Sequence, residues 1–150
     1  MCATSDSSLS SLTIPFNHTT DFTELADCCQ CFADELGACS DPAHKMALCG
    51  RLSACLALLQ PTLFEPVPLH LQPGLTVDTL PTRQPAFEPD ADQLADYCQF
   101  LTQLLLGGSL SAQMENTAGA LLQDLVLYFA DILKAPRWLN TPQGRVAIEM

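Results

Sequence analysis

Phe22, Leu25, Cys29, Phe32 and Leu36 are separated by 3, 4, 3 and 4 residues. Side chains three and four apart share one face of an α-helix, so this spacing predicts a helix with a single apolar stripe. The period recurs in three further blocks. Leu48, Leu52, Cys55 and Leu59 form the second, and Leu94, Tyr97, Cys98, Leu101, Leu104 and Leu105 the third. Met114, Ala118, Leu121, Leu125, Tyr128 and Ile132 form the fourth. An isolated amphipathic helix is marginal in water and must bury its stripe against another element. The expected fold is therefore mainly α, a four-helix bundle.

End signals bound each block. Asp21 is a suitable N-cap with Glu24 three residues on, and Gly37 a suitable stop. Ser40 or Asp41 caps the second helix, Pro42 takes its first position, and Pro61 ends it. Asp90 caps the third, with Gln93 at the reciprocal position, and Gly107 and Gly108 terminate it. Ser109 or Ser111 opens the fourth, which stops before Pro136. Connections this short predict two antiparallel helical hairpins, residues 21–60 and 90–135.

Residues 61–89 hold most of the prolines, which forbid a long helix, yet also Leu63, Phe64, Val67, Leu69, Leu71, Leu75, Val77, Leu80 and Phe87. A free linker is not so apolar. The expectation is an ordered, extended crossover lying along the bundle, with a short strand at Leu75–Thr79. Residues 1–18 are Ser/Thr-rich and aperiodic and read as a flexible N-terminal arm. Residues 19–150 then form a single helical domain ending in a tail, 136–150, which is strand, tail or partner-binding peptide.

Two copies of one string punctuate this plan: "LADCCQ" at Leu25–Gln30 and "LADYCQ" at Leu94–Gln99. Each opens the first helix of a hairpin behind an acidic cap, with Leu25 and Cys29, or Leu94 and Cys98, on the core stripe. Internal duplication explains the pair. So does convergent helix patterning in a chain rich in Leu and Ala.

Charge narrows the function classes. Seventeen acids against six bases give 17 − 6 = 11 net negative charges, and no base precedes Lys45. Direct nucleic-acid binding needs clustered Lys and Arg to displace counterions from phosphates, so none is expected. The negative field suits a basic protein partner. The most apolar stretch, Ala118–Leu133, is broken by Gln123, Asp124 and Asp131 and is no membrane span. The first residues lack a basic and then continuously apolar export signal, so the eight cysteines read as reduced and the protein as cytoplasmic. The sequon at Asn17 then carries no meaning.

Cys28, Cys29, Cys31, Cys39, His44, Cys49 and Cys55 all fall in the first hairpin. Thiolate and imidazole suit zinc and copper(I), which makes Cys28, Cys31, Cys39 and His44 the candidate ligands. The stretch "CSDPAHKMALCGRLSAC" is similar to pieces of cysteine-rich four-helix metal-storage proteins, a resemblance implying inward thiols along every helix. Here only Cys98 follows residue 55, so the pattern fails over more than half of the chain. Cys28–Cys31 is a lone CxxC without a partner pair. The expectation is core-filling thiols, with Cys29, Cys49 and Cys55 on or beside the apolar stripes and no cofactor.

Catalytic signatures do not occur: no GxSxG, HExxH, GxxxxGK[ST] or GxGxxG. Glu24, Asp27 and Glu35 are expected to surround Cys31 with negative charge, which opposes thiolate formation. Carboxylate pairs such as Asp34–Glu35 fall on solvated helix faces. The protein is not expected to be an enzyme.

Surface remains. Leu127 lies far from the stripe of the fourth helix, Val126 and Leu133 to its side, and Phe100 at the edge of the third. Arg137 and Trp138 are residue types enriched at binding hot spots. Either Phe64, Val67 and Leu69 of the crossover cover this perimeter, or Phe100, Val126, Leu127, Leu133, Arg137 and Trp138 form an interface. The interface is the reading adopted, with homodimerisation its simplest use. The expected function is a small acidic protein-binding adaptor, regulator or inhibitor. The alternatives are an acidic mobile-element-type inhibitor filling a nucleic-acid-binding groove of its target, and a cysteine-based metal or redox sensor.

Overall fold

The computed structural model describes residues 11–83 and 85–148. It is mainly helical, with four α-helices in two packed pairs: α1 (Phe22–Ala38) on α2 (Pro42–Thr62), and α3 (Ala91–Leu106) on α4 (Ala112–Lys134). The contacts divide the chain into two compact units, Met1–Leu80 and Pro81–Met150.

In the first unit the caps act as their chemistry predicts. Asp21 Oδ1 accepts from the backbone N–H of Thr23 at 2.9 Å and of Glu24 at 3.0 Å. The Thr23 hydroxyl also donates to it, at 2.5 Å, and these bonds hold the Asp21 carboxyl below its ordinary value of 3.8. Asp41 Oδ2 accepts from the His44 N–H at 3.0 Å, with Pro42 at the first helical position. Two expected stops are overrun. α1 continues through Gly37 to Ala38, and α2 through Pro61 to Thr62. Pro61 stands next to the last residue of the helix, and beyond it Leu63, Phe64 and Glu65 donate to carbonyls three residues back, not four.

Leu25, Cys28, Phe32, Leu48 and Cys55 make the core of this pair, all buried. The spacing in α1 is therefore 3 and 4 through Cys28. The expected stripe through Cys29 is corrected, since Cys29 is only half-buried at its edge. Cys49, expected on or beside the stripe of α2, is exposed. α2 is apolar around much of its circumference ("LCGRLSACLALL"), so periodicity alone leaves its inner face ambiguous.

Residues 11–16 differ from the loose arm expected over 1–18, of which 1–10 lie outside the described residues. Ser11–Thr13 forms a 3-10 turn with Ser11 buried, and Leu12, Ile14 and Phe16 pack against the core. The Phe16 ring meets Phe32 edge-on, centroids 5.9 Å apart at 64°. After α2 the expected strand at Leu75–Thr79 is absent. Leu69–Leu71 and Pro73–Leu75 are 3-10 turns instead, as the fixed φ of Pro68 and Pro73 favours. The crossover's apolar residues are largely exposed, Phe64 at 92% and Leu80 at 91%.

In the second unit Asp90 occupies the N-cap of α3, though its side chain accepts no capping hydrogen bond. Gly108, with φ +66°, supplies the left-handed residue past the helix end. Ser111 caps α4, accepting from the Met114 N–H at 3.2 Å. Leu94, Cys98 and Leu101 of α3 are buried, whereas α4 contributes no buried residue over its 23 positions. Tyr128 ties α4 back to the residues before α3: its hydroxyl donates to the Phe87 carbonyl at 2.8 Å, and the two rings lie 6.0 Å apart. The tail forms an antiparallel β-hairpin, β1 (Trp138–Thr141) with β2 (Gly144–Ala147), Leu139 opposite Val146. Gly144, at φ +118°, closes its two-residue turn.

Candidate functional site

Two places gather chemistry. The first is the contact of residues 11–16 with α1 and α2. Glu35, read from sequence as a solvated carboxylate, is half-buried and joins three segments. Its Oε2 accepts from the Ser11 N–H at 2.8 Å and from the Ser11 hydroxyl, while Oε1 lies 2.6 Å from His44 Nε2. Asp34 beside it is exposed, as expected. Serine, histidine and glutamate together invite comparison with a hydrolase triad, but the connectivity differs. A triad turns the imidazole toward the serine, with the carboxylate behind it. Here hydroxyl and imidazole both address the carboxylate, which suits holding a segment in place.

Arg51 forms the companion clamp. Its guanidinium carbon stands 4.3 Å from the centre of the Phe16 ring and 5.6 Å from that of Phe32, and Nη2 donates to the Ile14 carbonyl. A cation over aromatic faces is attracted by the ring quadrupole, about 0.5–2 kcal/mol depending on desolvation. Its Nε is buried without a hydrogen-bond partner among the described residues. Neither clamp is visible in sequence, because each joins residues 24 or 37 positions apart.

The candidate metal ligands are dispersed in character. Cys28 is buried and Cys31 exposed, on the same helix. The Cys39 thiol faces the Asp41 carbonyl at 3.7 Å, and His44 is engaged by Glu35. Among the described residues no group of three or more His, Cys, Asp or Glu side chains is placed to hold a metal ion. Cys55 packs between α1 and α2 with its thiol 3.3 Å from the Leu25 carbonyl. Burial, and next the Cys29 thiol beside it, push its pKa up from 9.0 to about 12. Burial also raises that of Cys28. These two thiols remain protonated near neutral pH and are poor nucleophiles.

The second place is the open side of α3 and α4. All six sequence-derived interface residues are exposed: Phe100 at 63%, Val126 at 42%, Leu127 at 57%, Leu133 at 43%, Trp138 at 58%, and Arg137. They do not form one patch by position. Val126 and Leu133, seven residues apart, share a flank of α4, Leu127 lies farther round that helix, and Phe100 belongs to α3. Arg137 Nη2 donates to the Leu133 carbonyl at 3.3 Å, next to Trp138 at the start of β1.

Sequence reasoning missed the concave part of this surface. Leu101, Leu104, Leu110, Met114, Ala118 and Leu121 line a groove of about 540 Å³ between α3 and α4. Met114, Ala118 and Leu121 belong to the stripe expected to be the core of α4, yet Met114 and Leu121 are exposed. The stripe is real. Two helices alone do not cover it.

Among the described residues no helix is long and apolar enough to cross a membrane. No protein-family model matches the chain, and no curated protein or solved structure matches it.

Proposed function

We propose that the protein is a non-enzymatic, acidic protein-binding protein of the cytoplasm, an adaptor, regulator or inhibitor that works through apolar helix faces. The observation that carries this reading is α4: a 23-residue amphipathic helix with no buried residue, while Phe100 and Leu106 of its partner helix α3 are also exposed. Large exposed apolar side chains gathered along one amphipathic helix mark a candidate interaction site. The net charge of −11 favours a basic partner, with electrostatics steering encounter and apolar contact holding the complex.

In this reading the helix pairs are antiparallel hairpins descended from one ancestor. Leu25 and Leu94, the matched leucines of the two LADxCQ strings, are both fully buried, four residues after the caps Asp21 and Asp90. Self-association is the simplest use of the Val126–Leu133 flank.

The test is capture of partners from the native host by tagged wild-type protein and by a Leu127→Ser/Leu133→Ser variant, at low and high salt. A partner held by the wild type at high salt and lost by the variant supports apolar docking. Capture that vanishes for both forms once salt is raised refutes it. Sedimentation of the same two forms reads self-association directly.

A further inference from the structure

The groove between α3 and α4 has a shape, a length and a charge, and together they specify an occupant. Its α4 wall runs from Gln113 to Leu121, nine residues or about 12 Å of helix. That matches the span of apolar anchors at i, i+4 and i+7 on a docking helix, about 10 Å. The α3 wall extends the row, since Tyr97 and Phe100 precede Leu104 by seven and four residues and both are exposed. Leucines and Met114 dominate the lining, and such side chains adapt to an incoming apolar face.

Past the groove's Leu121 end the α4 surface carries one sign of charge, Asp124 about 4.5 Å and Asp131 about 15 Å farther along the helix. Thr117 lines the groove, and Asp124 and Asp131 follow it at seven and fourteen residues, on the same side of α4. Asp96 stands one turn before Phe100 on α3, and all three carboxylates are exposed. α3 has no basic residue, and α4 has none before Lys134, its last. A second copy of this chain seated face to face would bring the same carboxylates against each other. A helix with Lys or Arg flanking its apolar stripe would bring opposite charges together.

We propose that this groove receives one amphipathic helix of a basic partner protein, its apolar face against Leu101, Leu104, Met114 and Leu121 and its cationic flanks over Asp96, Asp124 and Asp131. The assignment rests on the protein-binding reading above and names the site and the partner class within it.

The probe is a fluorescent peptide of about 18 residues, five helical turns, with Leu at helical anchor positions and Lys elsewhere. Its twin carries Glu in place of Lys. Binding to the full chain is read by anisotropy at about 50 and about 300 mM salt, which brackets strong and weak screening. The Lys peptide is expected to bind saturably, one to one, and at least about tenfold tighter than the twin. Thr117→Trp, which fills the groove from an exposed wall position, should weaken it about tenfold or more. Asp124→Asn with Asp131→Asn should weaken it about three- to tenfold and flatten the salt dependence. Circular dichroism confirms that the variants keep their helix content.

Absence of binding, equal binding of the twin, or binding untouched by Thr117→Trp overturns the proposal. If Leu127→Ser/Leu133→Ser abolishes binding and Thr117→Trp does not, the protein-binding reading survives and the groove assignment fails. If Thr117→Trp turns a dimer into a monomer, the groove belongs to a second copy, and the assignment to a basic helix is wrong.

Discussion

Raising the pH in the presence of a reductant probes the packing of α1 on α2 through a single atom. The Cys55 thiol is fully buried and faces the Leu25 carbonyl at 3.3 Å, a contact that only the protonated sulfur makes favourably. Its pKa rises from 9.0 to about 12 in the fold, so the native state holds a proton that the unfolded chain releases. The associated stability is fully present below pH 9 and is lost as pH climbs from 9 toward 12. The loss is on the order of 1 kcal/mol by pH 10 and grows further toward pH 12. Cys28, raised in the same direction by burial, adds to the slope. Urea unfolding followed by circular dichroism at about pH 8, 9 and 10 measures it. The readout is the difference in slope between wild type and Cys55→Ala, so that every contribution other than that of Cys55 cancels. Cys55→Ala should lose markedly less stability over this range than the wild type, while a Cys49→Ala control at an exposed site should follow the wild type. Parallel slopes for all three would refute the assignment of a buried, carbonyl-facing thiol.

Phe32 is fully buried under Phe16 and near Arg51, so Phe32→Ala should lower unfolding stability by about 3–5 kcal/mol in the same urea assay. Gly50 and Gly119 lie inside helices, and a methyl group at either site meets nothing within 4 Å. Gly50→Ala and Gly119→Ala should each stabilise by about 0.5–1 kcal/mol, seen as a raised Tm. Alkylation at near-neutral pH, with peptide mass spectrometry, should modify exposed Cys31 and Cys49 before buried Cys28 and Cys55.

Periodicity and caps located the four helices because those signals are local. Asp21, Asp41 and Ser111 act on amides two or three residues away, and a stripe such as Leu94–Cys98–Leu101 needs only one helix to be read. The boundaries at Gly37 and Pro61 were harder to place, since tertiary packing outweighs one weak helix former and a final turn can tighten to i+3 bonding. The choice between Cys28 and Cys29 turns on a rotation of 100° along a helix carrying thiols at both positions. The Glu35 and Arg51 clamps had no sequence signature, because their partners in residues 11–16 show no period. The α3–α4 groove was hidden for a different reason. A stripe tells which side of a helix is apolar, and the number of neighbours decides whether that side is covered.

Ser11 and Ile14 leave the ribosome before any of the groups that hold them. Glu35 follows 24 residues after Ser11, and Arg51 follows 37 residues after Ile14. This early-made part of the first unit therefore settles late, its last clamp supplied only when the tenth of the 21 residues of α2 has been made. Until both clamps have formed, that segment stays open to chaperones, proteases and modifying enzymes.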